Sequence, residues 1–124
     1  KIDLLQRLLM GYAPSGQPET KRDLKTRMEI LNELGITYRN LGEVKKAEDC
    51  YQQSLKLASL SAPDIDLAHP KALALHCFGM LCADSGRVDQ AIDLYQQSLA
   101  LNEQTGNVQG KAATLNQLGW IYAN

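Results

Sequence analysis

The chain resembles itself. Shifted by 44 residues, positions 31–58 lie over 75–102 with 12 of 28 positions identical, and the run Tyr51-Gln52-Gln53-Ser54-Leu55 recurs unchanged as Tyr95-Gln96-Gln97-Ser98-Leu99. A further shift of 40 places Leu75 and Gly79 on Leu115 and Gly119. Repetition at a period near 40 confines the chain to architectures made by stacking copies of one small unit.

The apolar spacing says what that unit contains. Leu31, Leu34, Tyr38 and Leu41 recur in steps of three and four, which puts them on one helical face. Gly42 ends this helix, because the residue just past a helix end often needs a positive φ that glycine adopts without steric cost. Val44, Ala47, Tyr51, Leu55 and Ala58 form the stripe of a second helix. The unit is therefore helix A, a tight turn and helix B. In the next copy the stripes are Leu75, Phe78 and Cys82, then Val88, Ala91, Tyr95 and Leu99, with Gly86 at the turn. Gly35, Gly79 and Gly119 fall inside A helices, where glycine costs about 1 kcal/mol relative to alanine. A cost repeated at one place in every copy implies close helix contact, and small Ala47 and Ala91 are the expected facing residues.

These residues resemble the tetratricopeptide repeat family. Its pattern of a large apolar residue, Leu-Gly, an aromatic, then Ala and an aromatic in helix B reads Leu31, Leu34, Gly35, Tyr38, Ala47, Tyr51 in one copy. It reads Leu75, Phe78, Gly79, Cys82, Ala91, Tyr95 in the next, and Leu115, Leu118, Gly119, Tyr122 in the third. The spacing exceeds the usual period of the family, and the proline that often closes a repeat is missing. Longer repeats of this sort are similar to those of kinesin light chain and the Leu-Gly-Asn repeat adaptors, and His69-Pro70 is similar to kinesin light chain in particular. The resemblance implies an all-α fold: a right-handed superhelix, or α-solenoid, of antiparallel helix pairs with about six helices. One domain over 1–124 is expected, with a partial N-terminal segment (1–27), repeat 1 (28–60), repeat 2 (70–104) and helix A of repeat 3 (107–124). The start at Lys1 and the unpaired last helix suggest a piece of a longer protein.

Within that frame, 2–9 occupies the place of helix B of a preceding repeat, and 12–19, with two prolines and a glycine, reads as a loop. One long helix is expected over 20–41. Its charged start (Lys21, Arg22, Asp23, Lys25, Arg27, Glu29) reads as a solvated face with both signs interleaved, in preference to a basic docking patch. Helix B of repeat 1 should run over 44–60. The connection 61–70 is the longest, with Pro63 able to open a short turn and Pro70 starting the next helix, since proline suits the first helical position. Helices over 71–84, 88–104 and 108–123 complete the chain.

Several function classes find no support. The net charge is −1, so there is no broad basic field of the kind that holds nucleic acid. No apolar run approaches the roughly 18 residues needed to span a bilayer. Cys50, Cys77 and Cys82, odd in number and without a CxxC, read as core thiols in a reducing, cytoplasmic compartment. The two histidines, His69 and His76, have no partner at metal-ligand spacing, there is no phosphate-binding glycine loop, and no nucleophile has a base and an orienting group. The expectation is a non-enzyme without cofactor or metal.

A superhelix of this kind presents a concave wall formed by one face of the A helices. The resemblance places on that wall Asn32, His76 and Asn116, then Ile36, Met80 and Trp120, and one turn further Arg39 with Asn40. An apolar row flanked by amides and an imidazole suits an extended or helical peptide, whose backbone Asn32 and Asn116 would hydrogen-bond. These two match positions where kinesin light chain has groove-facing Asn. The Lys and Asn of chaperone-tail binders are replaced here by Asn32 and Ile36, so that ligand is not expected. Ile36, Met80 and Trp120 have a packing reading as well, and Arg39 either meets an acidic ligand or pairs with Asp84. The expected partner is a protein or peptide, and the alternative role is a structural segment that self-associates through its open repeat ends.

Overall fold

The computed structural model describes residues 1–11, 21–60 and 65–123. They form six helices in the order α1 (Ile2–Gly11), α2 (Lys21–Asn40), α3 (Val44–Ala58), α4 (Ile65–Asp84), α5 (Val88–Thr105) and α6 (Val108–Ala123), and no strand occurs among the described residues. α2 packs on α3 and α4 on α5 as hairpins, α4 and α6 each also touch the helix pair before them, and α1 packs on α2. The fold is an all-α stack of helix pairs, with α2, α4 and α6 as A helices. The expected loop at 12–19 and the turn at Pro63 lie outside the described residues.

The ends of α2, α4 and α5 share one geometry. Gly42, Gly86 and Gly106 take φ of 79°, 81° and 71°. One residue on, the amides of Glu43, Arg87 and Asn107 donate back to the carbonyls of Tyr38, Cys82 and Asn102 at 2.8, 2.8 and 2.9 Å. This is the six-to-one bond of a Schellman cap, which satisfies carbonyls otherwise orphaned at a helix end.

Inside each hairpin the recurring run shows its purpose. Tyr51 and Tyr95 are both 0% exposed, and each lies with its ring against the glycine of its A helix. A Cβ added to Gly79 would sit 2.7 Å from Tyr95 Cε1, and one added to Gly35 would be 2.8 Å from Tyr51 Cζ. The helix contact expected at the glycines is present at Gly35 and Gly79, where the nearest side chain is the tyrosine ring, and absent at Gly119 among the described residues. Both alanines are buried nearby in the main core, with Leu75, Phe78, Leu81, Leu94 and Leu118. Three residues after each tyrosine, a serine repeats the same clasp: Ser98 Oγ donates to the Ala72 carbonyl at 2.9 Å and Ser54 Oγ to the Met28 carbonyl at 3.5 Å. Exposed Gln52, Gln53, Gln96 and Gln97 are the part of the run that packing does not require.

Some expectations from spacing are corrected. α4 begins at Ile65, so Pro70 lies inside the helix and does not open it. The extra turn carries Leu67 and Ala68, 3% and 6% exposed, and Leu67 packs with Leu24, Met28 and Leu31. Tertiary burial there outweighs the local signal of the proline. Leu41, Val44 and Val88 are 63%, 42% and 43% exposed, because the stripe runs out where the chain enters and leaves the turns. The buried set is wider than one stripe: Ile30, Cys50, Leu57, Cys77 and Leu81 are also inside, since an A helix packs on its own B helix and on the preceding pair. Arg22, Lys25 and Glu29 are exposed and Asp23 and Arg27 half-buried, in keeping with a solvated face.

Gly79→Ala should destabilise the protein by about 1–3 kcal/mol, the range for overpacking, although alanine is the better helix former. Gly119→Ala, where nothing lies within 4 Å of the added Cβ, should be neutral or stabilising by up to ~1 kcal/mol. Denaturant unfolding of the two variants checks the pair, and equal effects would sink the account.

Candidate functional site

The A-helix residues singled out from the sequence separate into three kinds. Asn32 is an interior residue, 1% exposed. Its Nδ2 donates to the Pro70 carbonyl at 3.0 Å, which ties α2 to α4, while its Oδ1 has no partner among the described residues. An amide so enclosed has no surface to offer a ligand, so the expectation of a groove-facing Asn32 is corrected. Arg39 also acts across the same joint: Nε and Nη2 donate to Asp84 Oδ2 at 3.2 and 2.7 Å. Asp84 is thus its partner, and a half-exposed pair of this kind contributes about 0–1 kcal/mol. A second ion pair, Arg87 to Glu48 at 3.0 and 3.2 Å, joins the same two repeats at the turn end.

His76 belongs to the next joint. It is half-buried on α4, with Nδ1 3.0 Å from Thr114 Oγ1 of α6 and its ring centroid 5.6 Å from that of Tyr95. Burial, and to a lesser extent the Arg39 charge, hold its pKa below the ordinary 6.5. Beneath it the Tyr95 hydroxyl is buried without a partner among the described residues, and burial pushes its pKa up to about 12. Tyr51's hydroxyl sits beside the Cys77 thiol, itself raised by burial to about 11. All three cysteines are buried free thiols, and a thiol held in its protonated form is a poor nucleophile.

The remaining residues lie outward. Ile36 and Met80 are half-buried against the main core, and Asn40 and Asn116 are exposed. Trp120 is 64% exposed. Along α6, Leu115, Asn116, Gly119, Trp120 and Ala123 line an open depression of about 390 Å³. Asn116 and Trp120 thus share one lining, which His76 does not join.

A more enclosed cavity of about 310 Å³ sits between α4, α5 and α6. His69 and His76, seven residues apart on α4, share its lining with Thr114, Asn107 and Asn102. Asn107 Nδ2 lies 3.4 Å from His69 Nδ1, and Asn107 and Thr114 each stand 38 residues beyond their histidine. Metal-ligand spacing does not single out these residues. The signal they carry is the i,i+7 step of the histidines matched by the same step from Asn107 to Thr114. Among the described residues no group of three His, Cys, Asp or Glu side chains is placed to hold a metal ion. No described helix is long and apolar enough to cross a membrane.

Residues 29–59 match one family model described as tetratricopeptide repeat, and residues 71–123 match another of the same description. Together they cover more than half of the chain. The chain belongs to the tetratricopeptide repeat family. The matches name the repeat and not the long-period type that kinesin light chain represents. Searches of curated proteins and of solved structures returned no match. Tetratricopeptide repeats are generally protein–protein interaction modules, and the family is typically a non-enzymatic scaffold.

The depressed pKa of His76 has a direct consequence. The folded state binds its proton less tightly than the unfolded chain, so its contribution is fully present above about pH 6.5 and declines as pH falls toward the lowered folded pKa. Stability should therefore drop as pH falls below about 6.5, and His76→Gln should flatten that slope. Urea unfolding across this range measures it, and an unchanged slope in the variant would refute the assignment.

Proposed function

We propose that this tetratricopeptide repeat protein is an interaction module that binds a peptide or helix of a partner protein along the A-helix face. The observation that carries the reading is the exposed apolar surface of α6. Trp120 is 64% exposed in the open depression that Leu115, Asn116, Gly119 and Ala123 line with it, and a tryptophan so placed marks an interaction site. Half-buried Met80 and Ile36 extend the apolar row over the neighbouring A helices, while exposed Asn116 and Asn40 supply amides for a ligand backbone. Arg39, paired with Asp84, is available to an acidic ligand only by exchange of partner. Three buried free thiols fit a reducing, cytoplasmic setting.

A second reading, a structural segment that self-associates, has its own support. Gly35 and Gly79 each face a tyrosine ring, whereas Gly119 meets nothing within 4 Å, and α1 exposes Leu4, Leu8 and Met10 at 61%, 44% and 76%. Such faces suit further repeats or a second copy.

Peptide-display selection on the parent and on a Met80→Ala/Trp120→Ala variant separates the two. A shared motif should emerge on the parent, and the selected peptide should bind the variant at least ~30-fold more weakly, the scale of losing a hot spot. No motif, together with concentration-dependent mass in light scattering, would favour the second reading.

A further inference from the structure

The cavity between α4, α5 and α6 has a polarity that its own hydrogen bonds dictate. The single proton of Ser98 Oγ goes to the Ala72 carbonyl at 2.9 Å, so this oxygen can only accept from a further neighbour. Asn102 therefore turns Nδ2 toward it, at 3.4 Å. The Asn102 carbonyl oxygen is left as an acceptor with no partner among the described residues, on a side chain that lines the cavity and is 4% exposed. The same logic orients the other wall. Asn107 Oδ1 accepts from the Gly110 amide at 3.1 Å, which presents Asn107 Nδ2 to His69 Nδ1. With Nδ1 accepting from Asn107, the ring N–H of His69 is on Nε2, the donor of the two ring nitrogens.

The lining contains no carboxylate and no lysine or arginine. Ala72, Leu73 and Ala113 add apolar wall. A cation would enter without a counter-charge, and a carboxylate would meet the Asn102 oxygen. A hydrocarbon group would cover that acceptor and leave it unmatched. An uncharged planar group whose donor and acceptor are different atoms meets both the acceptor on α5 and the donor on α4. At about 310 Å³ the space equals that of about ten waters at ~30 Å³ each, ample for such a group. We infer that this cavity is a carboxamide pocket, which takes an asparagine or glutamine side chain of the bound partner segment. The inference rests on the peptide-binding reading above and adds a sequence preference to it. His76, which the resemblance sets on the A-helix wall, is in the lining of this cavity.

The test uses propionamide, the glutamine side chain as a free molecule, titrated into ¹⁵N-labelled protein. 2-Butanone, of similar shape without N–H, and propionate are the comparisons. Propionamide should shift the amides of Asn102, Asn107 and Gly110 saturably, with 2-butanone and propionate at least about tenfold weaker, the scale of one hydrogen bond lost. Asn102→Leu should erase the preference over 2-butanone. Ala113→Leu, at an exposed position of the lining, should abolish the shifts while leaving the Asn102 bonds in place. Equal binding of 2-butanone or propionate, or propionamide shifts that survive Ala113→Leu in folded protein, overturns the pocket. Selected peptides that lack an amide and ignore Ala113→Leu would overturn it too and leave the groove reading intact. Propionamide binding without any selected peptide would support the pocket chemistry and remove the groove reading.

Discussion

The fold depends on a tyrosine ring lying where an A helix has no side chain. A glycine in a helix interior costs about 1 kcal/mol relative to alanine. Full burial of an aromatic side chain removes roughly 150–250 Å² from water, worth about 4–6 kcal/mol at ~25 cal/mol per Å² as an upper figure. The exchange favours glycine wherever a tyrosine from helix B can reach it, as Tyr51 and Tyr95 do at Gly35 and Gly79. The ring then sets how closely the two helices of a hairpin approach. The serine three residues later fixes how they are aligned along their length, through one bond to an A-helix carbonyl.

With the hairpin set, the joints between repeats are where the copies differ. α2 meets α4 through a buried amide-to-carbonyl bond and an ion pair, Asn32 to Pro70 and Arg39 to Asp84. α4 meets α6 through two imidazoles, His69 and His76, with Asn107 and Thr114 opposite. At the first joint the Asn32 amide is buried, and at the second a cavity lies beside the histidines. Similar backbones thus carry different polar joints.

How much of this the sequence shows depends on the distance over which each signal acts. Helices, their glycine-capped ends and the hairpin unit are written in neighbouring residues, and all were legible. The start of α4 was not, because Pro70 speaks for its own turn whereas Leu67 and Ala68 are held by contacts far away in sequence. That a tyrosine ring is the nearest group to Gly35 and Gly79 is not written in the local spacing, because it reaches the glycine from one turn along helix B. The family resemblance sets Asn32 on the groove, and a position in a pattern does not reveal that its amide bonds the Pro70 carbonyl inside the stack. The cavity lining needed the offset between α4 and α6, which appears only when the helices are docked.

Among the described residues α6 buries Thr114 and Leu118 and touches α5 and α4. In a stack of this kind stability is close to a sum of terms within units and between nearest neighbours, so a helix with so few shared contacts opens locally at a small fraction of the global free energy. The contacts of the Trp120 helix with α5 and α4 thus set its opening energy in this chain. Whatever bridges it to α4 raises its opening energy by the full free energy of that contact, and amide hydrogen exchange along α6 becomes a gauge of occupancy.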